Sequence, residues 1–171
     1  MHITASTVAA AMVLVLLAAP QANAANMASS QLAKAQHDYV AAINSNQPDV
    51  LTNAVTSDVV VITPNSPKLI GKVQLRAWAR RHFKATHAIW EKTPSDIVVA
   101  GDWAFETYEY RVVDTPKTDG PTTIATGSGI SVYHRDDDDV WRIARDVSTM
   151  REQWTVFETG CEFTRLTMGP C

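Results

Sequence analysis

Cysteine is almost missing. The 171-residue chain has two, Cys161 and Cys171, both close to its end. Two thiols cannot make a structural zinc site, which needs four ligands, nor the multi-bridge framework of a small disulfide scaffold. At most they form one bridge around Gly169-Pro170; free or intermolecular thiols are the alternative. No histidine pair stands as H-x-x-x-H or H-E-x-x-H, and no G-x-S-x-G, phosphate loop or cysteine–histidine nucleophile pattern occurs. Asp136–Asp139 is acidic but lacks the alternation, glycine and distal glutamate of a calcium loop, so it reads as a solvated turn. No metal and no cofactor are expected. The net charge of −3 is not the electrostatic footprint of a nucleic-acid binder.

Charge is also missing from Met1–Ala24. Its apolar run, Val8–Ala19, is too short to span a bilayer and leads to Pro20 and Ala22-Asn23-Ala24, an A-x-A cleavage pattern. These residues read as a signal peptide over 1–24, which predicts a secreted or periplasmic protein with no membrane attachment after cleavage. The alternative is an uncleaved anchor or a buried helix. About 147 residues remain, enough for one core.

What is present is periodicity. Leu32, Ala35, Tyr39 and Ile43 recur at helical spacing, predicting a helix over Ser29–Asn46. Pro48-Asp49 opens a short second helix to about Val55, and Val59-Val60-Val61-Ile62 centres a strand over Asp58–Thr63. Gly71-Lys72 opens a third helix to about Lys84, with Leu75, Trp78 and His82 as its stripe. Strands follow at Thr86–Glu91, Ser95–Ala100 and Trp103–Val113, with Gly101-Asp102 as a hairpin turn and Pro116–Pro121 as a loop. Ile124–His134 and Val140–Val147 form a last hairpin around Arg135–Asp139. In its second strand, strict alternation puts Trp141, Ile143, Arg145 and Val147 on one face and Ala144 and Asp146 on the other.

Helices first and strands after mean α+β: three N-terminal helices packed on a curved antiparallel sheet, forming a cone with an internal cavity. The domain is expected over 25–150, with 151–171 as a C-terminal extension carrying the possible Cys161–Cys171 bridge.

Several phrases, in this order, carry a family likeness: Tyr39-Val40-Ala41-Ala42-Ile43-Asn44, Ser57-Asp58-Val59-Val60, the Pro64–Gly71 turn, Gly101-Asp102-Trp103-Ala104, and Trp141–Asp146. Across about Gln31–Thr149 the chain resembles the nuclear transport factor 2-like superfamily, in its SnoaL-like and ketosteroid-isomerase-like branch. The resemblance implies the cone. It leaves function open among isomerases, dehydratases, cyclases, binding proteins and dimerising domains. Where relatives often carry a larger residue, this chain has Ser128-Gly129, which widens the cavity, admits a ligand to the backbone, or eases a bend.

In the isomerase branch a carboxylate moves a proton while a hydroxyl holds the developing oxyanion. The catalytic candidates here are Asp146 or His82 as base and Tyr108 as donor. Tyr39, Trp78, Trp90, Glu106 and Tyr110 are candidate ligand-binding residues. Glu106, Tyr108 and Tyr110 share one strand face. Each has a plainer reading: Asp146 as a structural acceptor, Glu106 as a surface acid, the tyrosines as filler, His82 as a surface or capping residue. Three functions follow: binding of a small apolar molecule, proton transfer on a carbonyl compound, or dimerisation through an outer sheet face carrying Trp103, Phe105 or Trp141. The expected partners are that small molecule and a second copy in a homodimer.

Overall fold

The computed structural model describes residues 19–157 and 162–163. The first part of the expected leader and both cysteines lie outside them. Helix α1 (Ala19–Asn44) starts well before the expected Ser29 and runs through Ala24. Leu32, Tyr39, Ala42 and Ile43 are buried on its inner side, as their spacing predicts. It stops at Asn46, which takes a left-handed φ of 53°.

Asn44 and Asn46 then clamp the helix end to a sheet edge. Asn46 Nδ2 donates to the Ala88 carbonyl at 2.9 Å while its Oδ1 accepts from Ala88 N–H at 2.8 Å. Asn44 does the same with Trp90, at 2.9 and 2.7 Å. Two side-chain amides thus stand in for a neighbouring strand and cover edge groups that would otherwise be open to pairing.

Next come α2 (Pro48–Asn53), β1 (Val55–Ile62), the two-residue β2 (Leu69–Ile70) and α3 (Gly71–Ala85). Four long strands follow: β3 (Thr86–Ala100), β4 (Trp103–Pro116), β5 (Thr122–Arg135) and β6 (Trp141–Val156). A short β7 (Glu162–Phe163) pairs with the end of β6. The strand order is β2-β1-β6-β5-β4-β3 in a curved, unclosed sheet, with the helices packed on one side. This is the α+β cone expected from the element order.

Four details of the sheet differ from the sequence reading. The sheet is not wholly antiparallel, because β1 lies parallel to β6, with Val61 opposite Asp146. Thr86–Ala100 is one strand; Pro94 does not break it, because β3 is an edge and a register shift between Pro94 and Asp96 absorbs the missing donor. Arg151–Val156, expected in the extension, continues β6.

The fourth difference bears on the site. Val132 pairs with Arg145 but Tyr133 pairs with Ile143, leaving Ala144 as an extra residue in β6. This bulge resets the alternation. Trp141 (4% exposed) and Ile143 (0%) are therefore buried on the same side as Asp146, and Trp141 does not belong to the exposed face. Leu32, Val55, Val59, Leu75, Phe83 and Ile143 fill the core at this end, each contributing about 1.5–3 kcal/mol by burial.

Candidate functional site

The site grows from β4, whose alternation is clean. Ala104, Glu106, Tyr108, Tyr110 and Val112 face inward and are buried, while Trp103, Phe105, Thr107 and Glu109 face out. Across from Tyr108 and Tyr110 in β5 stand Gly129 and Gly127. A Cβ on Gly129 would lie 2.4 Å from Cζ and Oη of Tyr108; one on Gly127 would lie 2.0 Å from the Thr149 carbonyl oxygen and 2.7 and 2.8 Å from Cε1 and Oη of Tyr110. The glycines are seats for two tyrosine rings laid across the strand. They neither widen the cavity nor admit a ligand to the backbone there.

Seated in this way, Tyr108 donates to Asp146 Oδ1 at 2.7 Å. Tyr39, from α1, donates to Oδ2 at 2.7 Å, and Ser131 Oγ approaches Oδ1 at 3.3 Å. Burial first, and then the Asp146 carboxylate, push the Tyr39 and Tyr108 hydroxyls far above an ordinary phenol. Both remain neutral donors. Asp146 thus ties α1, β4, β5 and β6 together, and three of its four or so acceptor positions are taken.

Beside it lies a second buried group. Lys92 Nζ is 3.0 Å from Glu106 and donates to Ser131 Oγ at 2.9 Å. The Lys92 and Glu106 side chains are 3% and 1% exposed. The ammonium sits 3.8 Å from the Tyr108 ring centroid, a cation–π contact, and Gln36 of α1 donates to Glu106. Glu106 is therefore half of an internal ion pair.

Two hollows open between α3 and the sheet. The inner one, about 50 Å³, is walled by Tyr39, Leu75, Trp78, His82, Trp90, Lys92 and Asp146 among others. The outer one is a chamber of about 380 Å³ with an open mouth. Trp78, His82, Trp90, Tyr110, Val112, Asp114, Ala125, Ser148 and Met150 contribute to its wall. Thr63, Trp78, His82 and Trp90 line both, so the inner hollow is the deep end of the chamber. Trp78 stacks on His82 with centroids 4.8 Å apart, and Trp90 stacks on Tyr110 at 5.0 Å. Burial also raises the Tyr110 hydroxyl. His82 Nε2 lies 3.3 Å from Asp114 Oδ1, an ion-pair distance, but that oxygen accepts no well-aligned hydrogen bond.

The structure therefore brings Trp78, His82, Trp90 and Tyr110 to the chamber wall, and Tyr39 and Asp146 to its deep end. Tyr108 and Glu106 stand behind that wall, engaged with Asp146 and Lys92. Lys92, Asp114, Ser131 and Gln36 were not anticipated. Alternation held the signal for two of them. Lys92 follows Trp90 by two residues, and Asp114 follows Val112 by two. The other two needed the packing of β5 and α1 against β4. Among the described residues no group of histidine, cysteine and carboxylate side chains is arranged to hold a metal ion.

An unclosed cone with a chamber between helix and sheet, lined by rings and two titratable groups, defines a class of small α+β domains. The SnoaL-like domain model matches residues 37–143, and the chain belongs to that family, within the nuclear transport factor 2-like superfamily. No curated protein matches the chain significantly. Among solved structures, it is similar to a conserved protein from Planctomyces limnophilus DSM 3776 (22% identity, 75% of this chain and 99% of that one, TM-score 0.65). It is likewise similar to a ketosteroid isomerase-like protein from Erwinia carotovora atroseptica SCRI1043 (21%, 71% and 94%, TM-score 0.65). A hexachlorocyclohexane dehydrochlorinase shares the fold at 14% identity (90% and 98%, TM-score 0.62). At these identities the likeness speaks for the fold alone.

Proposed function

We propose that the chain is an exported binding protein for a small, mostly apolar molecule held between α3 and the sheet. The chamber carries this reading. About 380 Å³ lies within the range of small-molecule sites, and aromatic and aliphatic walls with a few polar groups are their usual composition. The charge-free leader with its A-x-A ending supports export to the periplasm or medium.

Ala125 is the place to test it. It is buried on β5 opposite Val112 and lines the chamber. Ala125→Trp fills the space from the wall. Small aromatic compounds that raise the melting temperature of the wild type are expected to lose that effect in a folded Ala125→Trp protein. A bound ligand at a hundred times its Kd adds about 2.7 kcal/mol of stability. Compounds that stabilise both proteins equally would place binding elsewhere and end this reading.

One observation favours a second reading, proton transfer on a carbonyl compound by an isomerase, cyclase or dehydratase. His82 sits on the chamber wall with Asp114 beside it, as a general base with an orienting acid does. Asp146 is already engaged by three hydroxyls, so the base in this reading is His82, and Tyr110 is the phenol on the wall. A carbonyl ligand that exchanges its α-protons with deuterated solvent, losing that exchange but not its binding in His82→Ala, would support it. Exchange surviving in His82→Ala would remove His82 from the role.

The outer sheet face suits a homodimer. Trp103, Phe105, Val98, Ile130 and Val147 are all exposed there, Ile130 at 48%. The ladder aligns Val98 with Phe105, and Ile130 with Val147. An apolar strip of this kind supports a docking role for this face.

A further inference from the structure

We infer that the molecule the chamber takes is a small organic cation, an amine or quaternary ammonium on an apolar frame. The inference rests on the proposed binding function and narrows it to one ligand class.

Formal charge gives the first argument. Among the described residues the outer chamber has no lysine or arginine in its wall, and its ionisable carboxylate is Asp114, with His82 as its neighbour. The positive charge nearest the deep end, Lys92, is already matched by Glu106 at 3.0 Å, and Asp146 adds a further carboxylate there. With Lys92 matched by Glu106, the carboxylates of Asp114 and Asp146 make the field inside negative. An anionic ligand would meet repulsion; a cation would meet attraction in a space with low-dielectric walls.

The walls give the second argument. Trp78 on α3 faces the chamber from the helix layer, and Trp90 and Tyr110 face it from β3 and β4. Rings thus stand on two sides of one chamber, and tryptophan, whose ring face is electron-rich, is the best aromatic partner for a cation. Tyr110 cannot shift away from β4 without leaving its seat over Gly127.

The third argument is an unmet demand. Asp114 Oδ1 is shut off from solvent, and no well-aligned donor meets it. A buried carboxylate oxygen without a donor is costly. A ligand cation placed against the rings would supply, through space, a countercharge to this carboxylate beyond what His82 at 3.3 Å gives.

The probes are phenyltrimethylammonium and its uncharged isostere tert-butylbenzene, which share one shape and differ in one charge. Isothermal titration of both into the full-length protein should show the cation binding at least tenfold tighter. Asp114→Asn, which keeps the side chain's size, should abolish that preference and leave the isostere's affinity unchanged. Trp90→Leu, with folding checked by thermal melting, should weaken the cation more than the isostere. Equal affinities in the wild type, or a cation preference untouched in both variants, would overturn the inference while leaving the chamber as an apolar site. Failure of both probes to bind, or equal binding to Ala125→Trp, would instead bring down the chamber reading and this inference with it.

Discussion

Gly129→Ala is the sharpest test of how the site is built. A methyl group there would sit 2.4 Å from the Tyr108 ring and hydroxyl and 2.7 Å from the Val147 carbonyl. Neither neighbour has room to give: Tyr108 is 2% exposed and Val147 O belongs to the β6 backbone. The ring must leave, and its 2.7 Å bond to Asp146 goes with it. Overpacking costs about 1–3 kcal/mol. A hydrogen bond to a charged group is worth about 1.5–3 kcal/mol. Together the loss is roughly 3–5 kcal/mol, against a total stability of about 5–15 kcal/mol for a domain. The melting temperature should fall by about 10 °C, at roughly 2–4 °C per kcal/mol for a chain near this size. Tyr108→Phe, which removes only the donor, should fall by about half as much. In a Tyr108→Leu background the added methyl should cost less, with a coupling of about 1 kcal/mol or more between the two positions. Equal cost in both backgrounds, or a melting temperature within about 2 °C of wild type, would show that the glycine is not a seat for the ring.

Lys92→Met strands Glu106 as a buried charge, and should cost about 3–5 kcal/mol in a urea titration, whereas Lys92→Met with Glu106→Leu should recover most of it. Single-variant losses of stability that simply add in the double variant would contradict that coupling. At the β5–β6 turn, Arg142 grips Asp138 at 2.8 and 2.7 Å and pulls its carboxyl down to about 2. A carboxyl held low in the folded state stabilises above its unfolded value, near 3.9, and that contribution disappears as pH falls toward 2. Asp138→Asn should therefore flatten the loss of stability between about pH 4 and pH 2; an unchanged slope would show the pair contributes nothing. Trp103→Glu, on the exposed sheet face, should shift gel filtration from dimer to monomer while the circular dichroism spectrum stays the same. A dimer that persists would clear this face of the interface.

Part of the site could be read in the sequence because it follows period. The β4 alternation put Glu106, Tyr108 and Tyr110 on one face, and the α1 stripe put Tyr39 toward the core; both hold in the structure. Trp78 and His82 lie a helical turn apart, and they stack on the chamber wall. Asp146 faces inward as alternation from the strand's end suggests. The identities of its partners were hidden, because Tyr39 lies 107 residues away and Tyr108 lies 38 away. No local pattern reports a contact at that range.

Local chemistry, then, decided the element types, their order and hence the cone: apolar period, turn residues and β-branched runs act over a few neighbours. Packing decided the rest. The extra residue at Ala144 rotates Trp141 and Ile143 inward, a shift that depends on pairing with Tyr133 and Val132 and not on the β6 sequence alone. The glycines of β5 reveal their purpose only when β4 lies beside them. The buried Lys92–Glu106 pair forms because β3 and β4 turn those two side chains into the same closed space, where each charge is tolerable only with the other.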